Sequence, residues 1–305
     1  MLRPPIHSPG QILRDQMAED IVALPGVFNA ISALSAYKAG ANALYLSGAG
    51  VTNASLAVPD IALISLNEMA EASSRVCEIA PVPVIADADT GYGETANVSR
   101  TVIEMERAGL AGIHLEDQIS PKRCGHLEGK SLITAREMAQ KVTAAVESKR
   151  DDSFIIVART DARSVEGLEK AIERAKLYVD HGADAIFPEG LESEAEFEAF
   201  RKGINVPLLA NMTEFGKTPI IPLSRFKLLG YNLVIFPMTA FRVMLKAIDE
   251  AYLELIQTGT QQGLLDKMRT RKELYELIDY DAYSAKDQEW SERAEVGNGE
   301  PSSNP

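Results

Sequence analysis

Cysteine is nearly absent: the 305 residues hold only Cys77 and Cys124. Two thiols build neither a disulfide framework nor a zinc knuckle, and a reducing cytoplasm is the compartment they suit. Histidine is scarce too, at four, and there is one tryptophan. No apolar run approaches the roughly 20 residues that span a bilayer, so a membrane partner is not expected. The first ten residues carry three prolines and no apolar stretch, which does not read as a secretory signal. Basic charge is also short, with 31 Lys and Arg against 44 Asp and Glu and a net charge of −13. A nucleic-acid partner needs a basic surface, so that class is excluded. A small anion held by a few local arginines is not. A dinucleotide fingerprint is missing as well. Ser47-Gly48-Ala49-Gly50 lacks a third glycine, and Val51-Thr52-Asn53 after it does not read as a helix start.

What the chain does have is alternation. Short apolar runs at 21–25, 43–47, 83–88, 112–116, 154–159, 185–188, 207–210 and 233–236 read as strands. Helical periodicity lies between them at 29–39, 67–79, 95–108, 134–148, 165–181 and 194–202. Gly40, Gly109 and Gly182 close three of these as C-cap residues, and Thr134 with Glu137 opens another as a capping box. Eight β-then-α units in this length predict a parallel α/β barrel of the TIM type. Helical patterns at 239–257 and 264–277 follow, and an oligomer is expected because this extension has no place in its own barrel. The reading is one barrel domain with a helical extension over 1–285 and a disordered tail over 286–305.

The polar residues fall at the strand ends. Ser47, Asp87 with Asp89, Glu116 with Asp117, Arg159 with Asp161, Glu189, and Asn211 with Thr213 all end apolar runs. In a barrel these ends open onto one face, where active sites are built. Asp87 and Asp89, two apart on or just beyond a strand, point the same way, and Glu116 comes from the next strand. Three oxygen donors without histidine or thiol suit Mg²⁺ or Mn²⁺ rather than zinc. Arg159, Arg242 and Arg271 are candidate carboxylate clamps. Tyr45 shares a strand face with Ser47 and is either a proton carrier or a barrel-interior aromatic. Cys124 sits in Lys122-Arg123-Cys124-Gly125-His126, between cations and beside glycine. Nearby positive charge tunes a thiol toward acid or nucleophile chemistry.

Together, Lys122–His126, Asp87–Gly91, Tyr45–Gly48, His114–Gln118, Ala158–Asp161 and Asn211–Gly216 resemble the isocitrate lyase/phosphoenolpyruvate mutase superfamily. Within it, they resemble bacterial 2-methylisocitrate lyases, over roughly 8–283. The resemblance implies a barrel whose terminal helix is swapped between subunits, giving a homotetramer as a dimer of dimers. It implies Mg²⁺-dependent cleavage of a small tricarboxylate, 2-methylisocitrate, to pyruvate and succinate in propionate catabolism. It also implies roles by position. Ser47, Gly48, Ala49, Gly125, Arg159, Glu189, Asn211, Met212, Thr213, Arg242 and Arg271 hold substrate. Asp87, with Asp89 and Glu116 in support, holds metal. Cys124 is the general acid, tuned by Arg123 and His126, and Tyr45 is the base. Isocitrate lyase and 2,3-dimethylmalate lyase are the nearest alternatives. Phosphonate mutases and oxaloacetate decarboxylases usually lack the thiol loop.

Overall fold

The computed structural model describes residues 7–122 and 129–296. Two compact units emerge, a barrel unit ending at Lys246 and a C-terminal unit beginning at Ala247.

The barrel unit holds eight strands: β1 (Val22–Val27), β2 (Leu44–Leu46), β3 (Val84–Asp87), β4 (Gly112–Glu116), β5 (Ile155–Thr160), β6 (Ala185–Pro188), β7 (Leu209–Asn211) and β8 (Leu233–Phe236). All pairings are parallel, in the order β6-β5-β4-β3-β2-β1-β8-β7. A parallel bridge between Ile186 and Leu208 joins the two ends. The fold is therefore the expected TIM-type α/β barrel.

Strand periodicity sorts the core into two layers. One parity (Leu44, Leu46, Val84, Ala86, Ile113, Leu115, Ile156, Ala158, Val234) packs with the surrounding helices. The other (Val22, Leu24, Tyr45, Ile85, Ile155, Val157, Phe187, Leu209, Leu233, Ile235) fills the barrel, with Leu13 of helix Pro9–Glu19 among it. Continuing the interior parity to the strand ends reaches Ser47, Asp87, Glu116, Arg159, Glu189 and Asn211. The side chains that fill the barrel and those that face a ligand thus lie on the same faces of the same strands.

Three helical expectations need correction. The run 48–53 does start a helix, Gly48–Leu56, because the Ser47 side chain accepts from Gly50 N–H and caps it. The run 165–181 is two helices, Arg163–Glu166 and Leu168–Asp180, broken at Gly167 with φ 92°. The run 264–277 is a 3₁₀ segment, Gln262–Lys267, followed by helix Arg271–Leu277. Thr270 and Glu273 form a capping box at the restart. Helix Tyr280–Val296 crosses the expected boundary at 285. Among the described residues no helix is long and apolar enough to cross a membrane.

Candidate active site

A cavity of about 220 Å³ opens at the C-terminal ends of the strands. Tyr45, Ser47, Ala49, Asp87, Arg159, Glu189, Asn211, Thr213 and Arg242, all named from the sequence, line it. Its apolar wall comes from Phe187, Ile235, Pro237 and Met238, which sequence reasoning did not single out. Asp60 and Lys122 also line it. Arg123, Cys124, Gly125 and His126 lie outside the described residues.

Asp87 ends β3, where the Gly48 backbone presses on it. A Cβ on Gly48 would stand 2.6 Å from Asp87 Oδ2. Gly48→Ala is therefore expected to displace the carboxylate and cut kcat by about two orders of magnitude. Steady-state rates and a melting curve check this; the melting temperature should move little.

Burial disfavours the charged form of Asp87, but His114 (in the acid range where its imidazole is charged), Lys122 and Arg159 outweigh it and hold the carboxyl below its ordinary range. His114 is fully buried and its Nε2 lies 2.8 Å from Tyr45 Oη. Burial pushes this imidazole down to about 4, with Asp87 opposing, so it is neutral near pH 7. Burial and then Asp87 raise the Tyr45 phenol well above its ordinary value, so it keeps its proton. With a neutral imidazole beside it, Tyr45 is placed to donate to His114.

Asp89 departs from the sequence reading. The strand stops at Asp87, and Asp89 sits at φ 46°, a left-handed conformation that Asp tolerates. Strand alternation therefore does not carry over to it. Its N–H donates to Asp87 Oδ1 at 2.9 Å, while its carboxylate meets Lys122 Nζ at 2.9 Å and lines a neighbouring groove. Burial raises its carboxyl to about 6, against the pull of Lys122. Glu116 lies behind Arg159, with Nε 3.3 Å from Oε2, and burial raises it well above the carboxylate range. Among the described residues no three acidic, histidine or cysteine side chains gather at metal-binding spacing.

Lys122 was legible only as part of the thiol pentapeptide. Its Nζ reaches Asp60 Oδ2 at 2.6 Å as well as Asp89, and its side chain is 3% exposed. Burial favours its neutral form, but Asp89, Asp87, Glu116 and Asp60 raise it well above its ordinary value.

Arg159 is held on one edge by Asp161, at 2.9 and 3.2 Å, and lies 3.5 Å from Glu189 Oε2. Its guanidinium stacks 5.0 Å from the Phe187 ring centroid. Asn211 Nδ2 donates to Glu189 Oε2 at 3.1 Å. Arg242 is half-exposed and pairs with Glu214 at 2.7 Å. Met212, on the opposite parity from Asn211, is buried in the helix-facing layer and does not line the cavity. Arg271 heads helix Arg271–Leu277 in the C-terminal unit, is exposed, and is not among the lining residues.

A family model described as phosphoenolpyruvate phosphomutase matches residues 12–256. A 2-methylisocitrate lyase from Aeropyrum pernix is 53% identical, covering 97% of this chain and 95% of its own length. The Escherichia coli 2-methylisocitrate lyase is 43% identical, covering 92% and 96%. Among solved structures, 2,3-dimethylmalate lyase superposes with TM-score 0.88 at 34% identity, covering 94% of this chain and 96% of that one. Phosphonopyruvate hydrolase in complex with oxalate and Mg²⁺ gives 0.83 at 27%, covering 92% and 98%. The chain belongs to the phosphoenolpyruvate mutase/isocitrate lyase superfamily, and it is similar to the superfamily's 2-methylisocitrate lyases over nearly its whole length.

Proposed function

We propose that this carbon–carbon lyase cleaves 2-methylisocitrate to pyruvate and succinate. The observation that carries the reading is the composition of one cavity. An ionised aspartate, a buried arginine and an apolar wall of Phe187, Ile235, Pro237 and Met238 face the same space. Arginine pairs with substrate carboxylates, and the apolar wall suits a methyl group. One methyl is worth only about 1–3 kcal/mol in a pocket, so the wall sets a preference rather than an absolute choice.

The donor chemistry fits a hard cation. Asp89 Oδ2 and Glu116 Oε1 are buried without a hydrogen-bond partner, while Asp89 Oδ1 meets Lys122 and Glu116 Oε2 meets Arg159, and Asp87 faces the cavity. Mg²⁺ needs few protein ligands and keeps waters. Asp87 would hold it, with Asp89 and Glu116 in support, and it would act as Lewis acid and template. The residues do the rest. A base removes the proton of the substrate hydroxyl, and the oxygen's electrons form the pyruvate carbonyl. The C–C bond breaks and its electron pair passes to the succinate fragment as an aci-carboxylate, which Cys124 protonates. Arg159 stabilises the carboxylate where charge accumulates. Tyr45 is the base by family analogy. Burial first, and Asp87 after it, keep the proton on Tyr45, so neutralising the Asp87 charge would favour that role by removing the second of these two causes.

The thiol assignment has a labelling consequence. Burial pushes Cys77 up to about 12, with Glu78 adding to it, so Cys77 has almost no thiolate near pH 7. Native protein is expected to take up one alkylating group per chain and denatured protein two. Cys124→Ser should abolish the native reaction; labelling of Cys77 under native conditions would contradict the expectation.

Oligomerisation by exchange of the terminal helices is part of the same proposal. Tyr252, Leu253, Ile256, Tyr283 and Trp290 of the C-terminal unit are all more than half exposed. Such apolar surface supports burial against another copy. Light scattering tests it, and a monomer at micromolar concentration would contradict it. The activity is tested by incubating the protein with Mg²⁺ and 2-methylisocitrate, isocitrate or 2,3-dimethylmalate. Pyruvate and succinate should form with the highest kcat/KM from the first. Faster glyoxylate production from isocitrate would overturn the substrate choice.

A further inference from the structure

Lys130 lies outside the cavity, yet its ammonium enters the network that holds Arg159. Its Nζ is 2.9 Å from Asp161 Oδ1, and its side chain is 1% exposed. Asp161 Oδ2 accepts from Arg159 Nε, and Oδ1 accepts from Arg159 Nη2. One buried carboxylate is thus shared by two cations. Arg159 Nη1 enters none of its contacts with Asp161, Glu116 or Glu189.

Both partners are fixed from behind. Asp161 N–H donates to Asp117 Oδ1 at 2.9 Å, and Asp117 Oδ2 accepts from Thr160 Oγ1 and Tyr178 Oη at 2.7 and 2.8 Å. The backbone beside Lys130 is tied to the same place. Ile119 N–H donates to Ser131 O and Ile133 N–H to Asp117 O, with an antiparallel bridge between Gln118 and Leu132. Lys130 therefore follows no path set by the cavity, but is aimed at Asp161 by this short ladder.

The charge balance says what the aim achieves. Arg159 faces Asp161 directly, Glu116 at 3.3 Å and Glu189 at 3.5 Å. Three carboxyl groups around one guanidinium draw on its charge where a substrate carboxylate must arrive. The Lys130 charge offsets the share taken by Asp161. We infer that Lys130 is a positioning residue which, through Asp161, keeps the Arg159 guanidinium oriented and its charge available to a substrate carboxylate. This rests on Arg159 being the carboxylate clamp of the proposed function.

Oxalate, present with Mg²⁺ in a solved relative, is the probe. Calorimetric titration in Mg²⁺ buffer would compare wild type, Lys130→Met, Arg159→Ala and the double variant. Lys130→Met is expected to weaken oxalate about tenfold, and to have no further effect once Arg159 is gone. Lys130→Arg should restore affinity, and in turnover KM should rise more than kcat falls. An unchanged oxalate affinity, an additive double variant, or no uptake by wild type would overturn the inference. Should Lys130→Met not fold, Lys130→Gln takes its place; failure of both to fold would assign Lys130 to structure alone. Oxalate is not the proposed substrate. Coupling in a chain that ignores 2-methylisocitrate would leave the inference standing, while absent coupling in a chain that cleaves it would sink the inference only.

Discussion

Asp87→Ala should lower turnover by about three orders of magnitude or more and remove the response to Mg²⁺, because in the proposed function Asp87 would hold the cation that supplies several kcal/mol of Lewis-acid stabilisation. Asp87 lies at the interior parity of β3, faces the cavity, and is kept ionised near pH 7 by the Lys122 and Arg159 charges despite its burial. Asp89 and Glu116 carry no such guarantee. Burial raises the first to about 6 and the second well above the carboxylate range, and neither lines the cavity. The fold should survive the substitution, since Lys122 keeps Asp60 and Asp89 as partners. Initial rates measured across a Mg²⁺ series, for wild type and variant, check this. A variant whose rate still saturates with Mg²⁺ would place the cation on other residues.

The sequence made the barrel and much of its mouth legible for one physical reason. Strand periodicity continues past the apolar run, so the polar residue two positions after an interior apolar one faces the same axis. Ile85 then Asp87, Val157 then Arg159, and Phe187 then Glu189 follow this pattern. The rule stops where the strand does. Asp89 lies past the end of β3 in a left-handed turn, and alternation no longer describes it. Met212 was read with its neighbours Asn211 and Thr213, but the opposite parity takes it into the helix-facing layer. Helix Gly48–Leu56 was hidden by its glycines, which are poor helix formers. They are there because Gly48 lies against Asp87 and Gly50 against Phe28. Asp60 left no signal: it sits in an irregular stretch, and its partner Lys122 is 62 residues away. His114 did leave one, as a lone imidazole inside an apolar strand, and its contact with Tyr45 becomes visible only when β2 and β4 share the barrel interior.

Lys122→Met is expected to destabilise the fold by about 3–5 kcal/mol, the usual cost of removing one partner from a buried ion pair. The ammonium contacts Asp60 and Asp89, and it also raises the ionised fraction of Asp87 and Glu116 by its charge. Without it, the buried carboxyl groups of Asp87, Asp89 and Glu116 share their space with less positive charge, which favours uptake of protons or of a metal ion there. Mg²⁺ should therefore raise the melting temperature of Lys122→Met more than that of wild type, because a ligand stabilises the folded state by RT ln(1 + [L]/Kd) and the less compensated carboxyl groups should bind the cation more tightly. Turnover should stay low even at saturating Mg²⁺, since Lys122 lines the cavity itself. The check is a pair of thermal melts for each protein, with EDTA and with millimolar Mg²⁺. Equal shifts in the two would mean that the ammonium and the cation draw on different carboxylates. A larger shift in the variant would mean that Lys122 offsets, in the metal-free chain, part of the negative charge that a cation at Asp87 offsets during turnover.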